Sequence, residues 1–207
     1  MNTRAAAILV TGFEPFAGAS INPSAELARQ LDGSNIGACR VHGVVLPCVF
    51  GAAARELKQA LRRVNPRLVL CLGQASGRAQ ITPERIAINV DDASIPDNAG
   101  QQPLDQPIIK GGPAALWSSL PLKAIVAELE QHGIPAAVSA SAGTYVCNHV
   151  FYVLMHTLRR RPGIRGGFIH LPLLPEQAGA DQPSLSLSSM RQALVLAAEL
   201  ALSDRDA

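Results

Sequence analysis

Residues 51–77 read GAAARELKQALRRVNPRLVLCLGQASG. Up to residue 64 the stretch has helical period, and the run LVLCLG at 68–73 that follows is too apolar to face water on either side. A Gly-rich loop leaves that run at Gly73. A helix feeding a strand buried on both faces implies a largely parallel sheet with helices on each side.

The same alternation extends outward from this stretch. Short apolar runs at 5–12, 41–48, 85–90, 136–141 and 167–172 are expected strands. Segments of helical period at 23–31, 122–133, about 146–160 and 188–202 are expected helices. The fold class is therefore α/β. At 207 residues the chain suits one domain, 1–207, better than two. The stretch 97–119, rich in Pro, Gly and Gln and without period, reads as a long loop bordering a site.

Composition narrows the function. Hydrophobic residues make up 48% and charged residues 16%, which disfavours disorder. With a net charge of +2, the basic residues are scattered except for Arg159, Arg160 and Arg161, a run that complements a helix C-terminus rather than nucleic acid. No 18-residue apolar run exists and the N-terminal apolar stretch is too short for a secretory signal, so no membrane association and a cytoplasmic location are expected. The four cysteines, Cys39, Cys48, Cys71 and Cys147, show no CxxC spacing. Neither a metal site nor disulfides are expected of them.

In open sheets of this kind, ligands bind beyond the carboxyl ends of the strands. Cys147, in SAGTYVCNHVFYVLMH (141–156), falls in the first turn of an expected helix whose apolar face carries Val146, Val150, Val153, Leu154 and Leu158. Free backbone N–H groups at a helix start favour a thiolate and can receive an oxyanion. The alternative is a buried structural thiol, like Cys71 in its apolar strand. Of five histidines, His149 points about 200° away around the helix from Cys147, and His156 lies about 13 Å along the axis. His132 ends a helix and His42 starts a strand, where solvation accounts for both. His170 ends the apolar run GGFIH, where this architecture collects reactive side chains. Glu84 opens the run 85–90 and suits either an imidazole-orienting carboxylate or an ion pair with Arg78 or Arg85.

Four stretches, TGFEPFAGASINPS, GQASGRAQITPERIAIN with DDASIPDNAG, SAGTYVCNHVFY and GFIHLPLLPEQ, together resemble the pyroglutamyl peptidase I family of cysteine peptidases over nearly the whole chain. The resemblance implies Cys147 as nucleophile, His170 as general base and acid, and Glu84 as the carboxylate that orients it. It also implies a single-domain α/β/α sandwich, no cofactor, a homotetramer, and peptides with N-terminal pyroglutamate as substrates. Phe13, Phe16, Gln74, Tyr145 and Val146 would line the substrate pocket. GFEPFAG lacks the Gly-Lys-Ser/Thr ending of a phosphate loop. Two residues depart from the family's usual pattern: Ser76 where a small Gly, Ala or Pro is usual, and Ser94 where an arginine is usual. The competing readings are a cysteine amidase acting on another small cyclic or acyl amide, and a nonhydrolytic pyroglutamyl-binding relative weakened by Ser94.

Overall fold

The computed structural model describes residues 6–203, so Ala5 of the first expected strand and both ends of the expected domain lie outside the described residues. The chain runs β1 (Ala7–Phe13), α1 (Pro23–Leu31), β2 (Asn35–Ile36), β3 (Cys39–Leu46), α2 (Ala52–Val64), β4 (Leu68–Gln74) and β5 (Thr82–Pro83). It continues through β6 (Ile86–Ile88), β7 (Ala115–Trp117), α3 (Leu122–Gln131), α4 (Val146–Leu158), β8 (Arg165–Leu171) and α5 (Leu187–Ser203).

The main sheet has the order β2-β3-β1-β4-β8-β5. Its four long strands are parallel, and only the two-residue edge strands β2 and β5 are antiparallel to their neighbours. Alternate side chains enter two cores. On one face Ile8, Leu68, Leu70 and Ile169 pack with Leu27, Ile125 and Leu194 from α1, α3 and α5. On the other, Leu9, Val69, Cys71 and Phe168 pack with Leu57 and Leu61 of α2 and Val150 and Leu154 of α4. This is the expected α/β sandwich.

Local chemistry sets the helix ends. Asn22 caps α1 by accepting from the Ser24 N–H at 3.0 Å, and Pro23 takes the first turn, where its missing donor costs nothing. At the other end of α2, Asn65 turns left-handed at φ 48° and Pro66 follows, which stops the helix.

Two expected strands differ from the reading of the sequence. The run 85–90 contributes only β6, which leaves the main sheet and pairs antiparallel with β7 inside the expected long loop. The run 136–141 forms no sheet strand, only parallel bridges at Ala136 and Ser139 to Ile81 and Glu84. Pro83 between those two partners has no N–H to donate, so the ladder is interrupted there.

The chain steps from β1 to β3 on one side, then returns to place β4 on the other side of β1. The carboxyl ends of β1 and β4 therefore flank a topological switch point, where such sheets open a crevice. Phe13 and Gln74 are the last residues of those two strands.

Candidate active site

Glu84 is delivered to His170 by the sheet edge. Thr82 of β5 lies opposite His170 of β8, and the Glu84 N–H donates to the Phe168 carbonyl at 2.8 Å. The Glu84 side chain then accepts from His170 Nδ1 at 2.7 Å. Both are buried, Glu84 at 0% and His170 at 4% exposure. With its Nδ1–H donated to the carboxylate, a neutral His170 presents Nε2 as a proton acceptor.

Cys147 reaches the same place from above the sheet. Gly73 pairs with His170 in parallel register, so the two residues share a face. A Cβ built on Gly73 would stand 2.9 Å from Cys147 Sγ and 2.8 Å from Phe168 Cζ. His170 thus projects from the face against which the sulfur rests. Only a glycine at 73 admits the thiol to this position.

The sulfur also sits in the first turn of α4. Tyr145 occupies the cap in extended conformation and, among the described residues, no side chain caps the turn, so the first N–H groups are left for a ligand. Asn148 anchors this turn. Its amide accepts from Ile88 N–H and donates to the carbonyls of Ile88 and Val90, at 2.9 to 3.0 Å.

Electrostatics of the three groups differ from the expectation in one respect. Burial pushes the Cys147 thiol up, Cys48 and Glu84 push it further, and Arg78 pulls it back. The helix start was expected to lower it, but the protein atoms crowding the sulfur remove the water a thiolate needs. Cys147 is nevertheless the one cysteine of the four that is not fully buried. Burial would raise Glu84, but its hydrogen bond and charge interaction with His170, with Arg78 adding, outweigh that and hold it below the ordinary carboxylate value. Burial lowers His170 despite Glu84, and Arg78 lowers it further. At neutral pH the site therefore holds a thiol, a neutral imidazole and a carboxylate.

Arg78 realises the ion pair weighed for Glu84 at the same time as the imidazole contact. Its Nη1 lies 2.7 Å from Glu84 Oε1, and its Nη2 donates to the Ser141 carbonyl at 3.3 Å, on the segment leading to Cys147. Ser94 is exposed, on the loop whose Pro96 carbonyl accepts from the Tyr145 hydroxyl at 3.1 Å.

Of the expected pocket residues, Phe16 and Tyr145 face each other, Phe13 and Val146 lie in the core below, and Gln74 points away. Buried Phe13 packs on Phe168, with ring centroids 6.4 Å apart, and Phe168 in turn lies 4.8 Å from the His170 ring. Half-buried Phe16 faces Tyr145 at 6.0 Å, and Phe50 meets Tyr145 edge-on at 5.5 Å. Val146 is fully buried beneath. Gln74 follows Gly73, so its side chain is on the opposite face, where it accepts from Gln177 Nε2 at 2.9 Å. Only the strand-end backbone of Gln74 borders the thiol side.

Sequence reasoning missed three supporting groups. Phe50, Asn148 and the pair His149–Asp91, with Nδ1 to Oδ2 at 2.8 Å, brace the turn that carries Cys147. Asp97 likewise fixes the loop after Ser94 by accepting from the Phe50, Ala99 and Gln101 N–H groups. The signal for the two acids was present in DDASIPDN, but nothing local said which donors they would meet.

A thiol at a helix start, facing an imidazole held by a carboxylate, has the arrangement of a cysteine hydrolase. The profile of the pyroglutamyl peptidase family matches residues 6–204, and the chain belongs to that family. A pyrrolidone-carboxylate peptidase of Klebsiella pneumoniae is 55% identical over 199 residues, covering 95% of this chain and 93% of that protein. The crystal structure of pyroglutamyl peptidase I from Bacillus amyloliquefaciens superposes with a TM-score of 0.92 at 48% identity, covering 96% of this chain and 97% of that one. A mutant pyrrolidone carboxyl peptidase from Pyrococcus furiosus gives a TM-score of 0.93 at 43% identity, covering 96% and 99%.

Proposed function

We propose that the protein is a cysteine peptidase that removes N-terminal pyroglutamate (5-oxoproline) from peptides. The observation that carries this reading is the buried Glu84–His170 hydrogen bond on the sheet face against which the Cys147 sulfur rests, in a chain of this family. Because burial keeps the thiol protonated, His170 takes its proton as the sulfur attacks the pyroglutamyl carbonyl. The oxyanion is received by the uncapped N–H groups of the first α4 turn. Collapse of the adduct breaks the amide bond, and the imidazolium gives its proton to the departing amine. Water, deprotonated by His170, then hydrolyses the thioester, releasing pyroglutamate and restoring the thiol.

Glu84 fixes the tautomer and stabilises the imidazolium. Arg78, paired with Glu84, supplies a positive charge at this site. On this reading the lactam ring, apolar on its faces and polar at its edge, packs against Phe16 and Tyr145 over the core that Phe13 and Val146 help form, with its edge toward the backbone at the end of β4. No step in this sequence calls for a cofactor.

Hydrolysis of pyroglutamyl, prolyl and glutaminyl anilides tests the reading. Only the first should turn over, since proline lacks the lactam carbonyl and carries a charged amine. Comparable turnover of prolyl anilide would remove the substrate assignment. We further infer a cytoplasmic homotetramer, a reading supported by four unpaired cysteines and by Trp117 and Leu104, large apolar side chains left at 65% and 77% exposure. Light scattering on the purified protein checks the assembly. No helix among the described residues is long and apolar enough to cross a membrane.

A further inference from the structure

A second depression opens at the switch point, on the far side of the strand ends from Cys147. Its volume is about 390 Å³, and its walls are the 18–21 loop, Gln74 and Ser76 after β4, and Leu173 to Gln182 after β8. That size is within the range of small-molecule and peptide sites, about 300–1,000 Å³. Each wall continues a wall of the catalytic site. The 18–21 loop follows Phe16, Gln74 follows the Gly73 that touches the thiol, and Leu173 comes three residues after His170.

The lining chemistry is that of a peptide backbone's complement. Gln177 is locked in place: its Nε2 donates to the Ile21 carbonyl and to Gln74 Oε1, and its Oε1 accepts from the Leu174 N–H. Gln182 accepts from the Gly179 N–H at 3.1 Å. Among the described residues, neither Gln74 Nε2 nor Gln182 Nε2 donates to another protein group, so both amides keep donors for a carbonyl. Ser76, one of the two departures from the family's usual residues, adds a hydroxyl to the same wall. Among the described residues Glu176 is the only charged side chain in the lining, and it is exposed.

We propose that this groove is the subsite for the leaving peptide: it holds the residues after pyroglutamate by backbone hydrogen bonds and, through Glu176, disfavours acidic side chains among them. The proposal rests on the pyroglutamyl peptidase reading above. With the ring against Phe16 and Tyr145 and the scissile carbonyl at Cys147, the peptide crosses the carboxyl edge of β4 and β8 to enter the groove. The amides and hydroxyl there recognise main chain, which leaves sequence selectivity broad. Charge is the one discriminating feature.

The test compares kcat/KM for pyroglutamyl-Ala-Lys-Ala and pyroglutamyl-Ala-Glu-Ala, each divided by kcat/KM for pyroglutamyl anilide, whose leaving group is too short to reach the groove. At low ionic strength the lysine peptide should be preferred by about threefold to tenfold, as expected for one exposed charge acting across water. Glu176→Lys should reverse the preference. Gln182→Ala should lower both peptide ratios by about fivefold, through KM, as loss of one hydrogen bond does. If the lysine to glutamate ratio is the same in wild type and Glu176→Lys while the anilide is still cleaved, the groove is not the leaving-peptide subsite and only this inference fails. If wild type does not cleave the anilide at all, the peptidase reading fails with it.

Discussion

Two buried histidine–carboxylate pairs flank the start of α4, and by hydrogen-bond geometry they are nearly twins. His170 meets Glu84 at 2.7 Å and His149 meets Asp91 at 2.8 Å, each through Nδ1. What distinguishes them lies on the other side of the ring. His170 shares a sheet face with Gly73, and the Cys147 sulfur occupies the space a side chain at 73 would fill. His149 instead presents its ring edge-on to Phe50 at 5.7 Å, and its N–H starts the helical ladder by donating to the Tyr145 carbonyl. Holding an imidazole with a carboxylate therefore does not make a base. A reactive partner across the ring does, and the glycine that admits it is as much a part of the site as the histidine.

The contrast is sharpest by substitution. His170→Ala and Glu84→Gln should each lower kcat/KM for a pyroglutamyl anilide by about 10³ or more, as when a base or its orienting acid is removed, with a stability cost of the kind any broken buried pair carries. His149→Ala and Asp91→Asn should cost similar stability but largely spare turnover. A broken buried hydrogen-bonded pair costs about 1–3 kcal/mol of stability, and turnover should fall less than about tenfold. A loss of turnover in His149→Ala as large as in His170→Ala, with the fold intact by circular dichroism, would break the comparison.

Gly73→Ala comes next. The added methyl meets the tip of the Phe168 ring at 2.8 Å and the Cys147 sulfur at 2.9 Å, so one of these two side chains must move. Misplacing a nucleophile by about 1 Å costs roughly 10² in rate, and that loss should appear in kcat. Unchanged kinetics would show that the thiol does not work from this position.

The pH profile separates the groups around His170. Burial places it below its ordinary 6.5, so the acid limb of kcat/KM should fall below pH 6.5. Glu84 raises His170 and Arg78 lowers it, so Glu84→Gln should move that limb to lower pH and Arg78→Ala to higher pH. Shifts in the same direction would mean that the limb reports another group. The same depression contributes stability that is complete above the unfolded value near 6.5 and is lost as pH falls through the folded value. Ser94→Arg carries the smallest expected effect, a rise in turnover of about twofold to fivefold with KM unchanged, since Arg78 already neutralises Glu84. A fall in turnover would indicate crowding at the Tyr145 wall.

The comparison also explains what the sequence makes legible. Helical period is a property of a continuous segment, and α1 begins and ends where 23–31 places it. Strand runs of three to six apolar residues carry no such information about partners. Ile86–Ile88 is as apolar as a sheet strand yet pairs with Ala115–Trp117, and the 136–141 run meets a segment interrupted by a proline. In the site, Cys147 and His170 are marked by their places at a helix start and a strand end. Glu84 lies 86 residues from His170 in sequence, and only the resemblance pairs them. His149–Asp91 and the raised thiol could not be read at all, because each depends on which groups fold around it.

The account stands on Cys147 acting as the nucleophile on a pyroglutamyl carbonyl. Release of the amine from a pyroglutamyl anilide, measured for wild type and for Cys147→Ala in parallel with their melting curves, tests that most directly. Wild type should release it, and the variant should show no turnover above background while melting within a few degrees of wild type. A folded Cys147→Ala protein that retains turnover within tenfold of wild type would contradict the account.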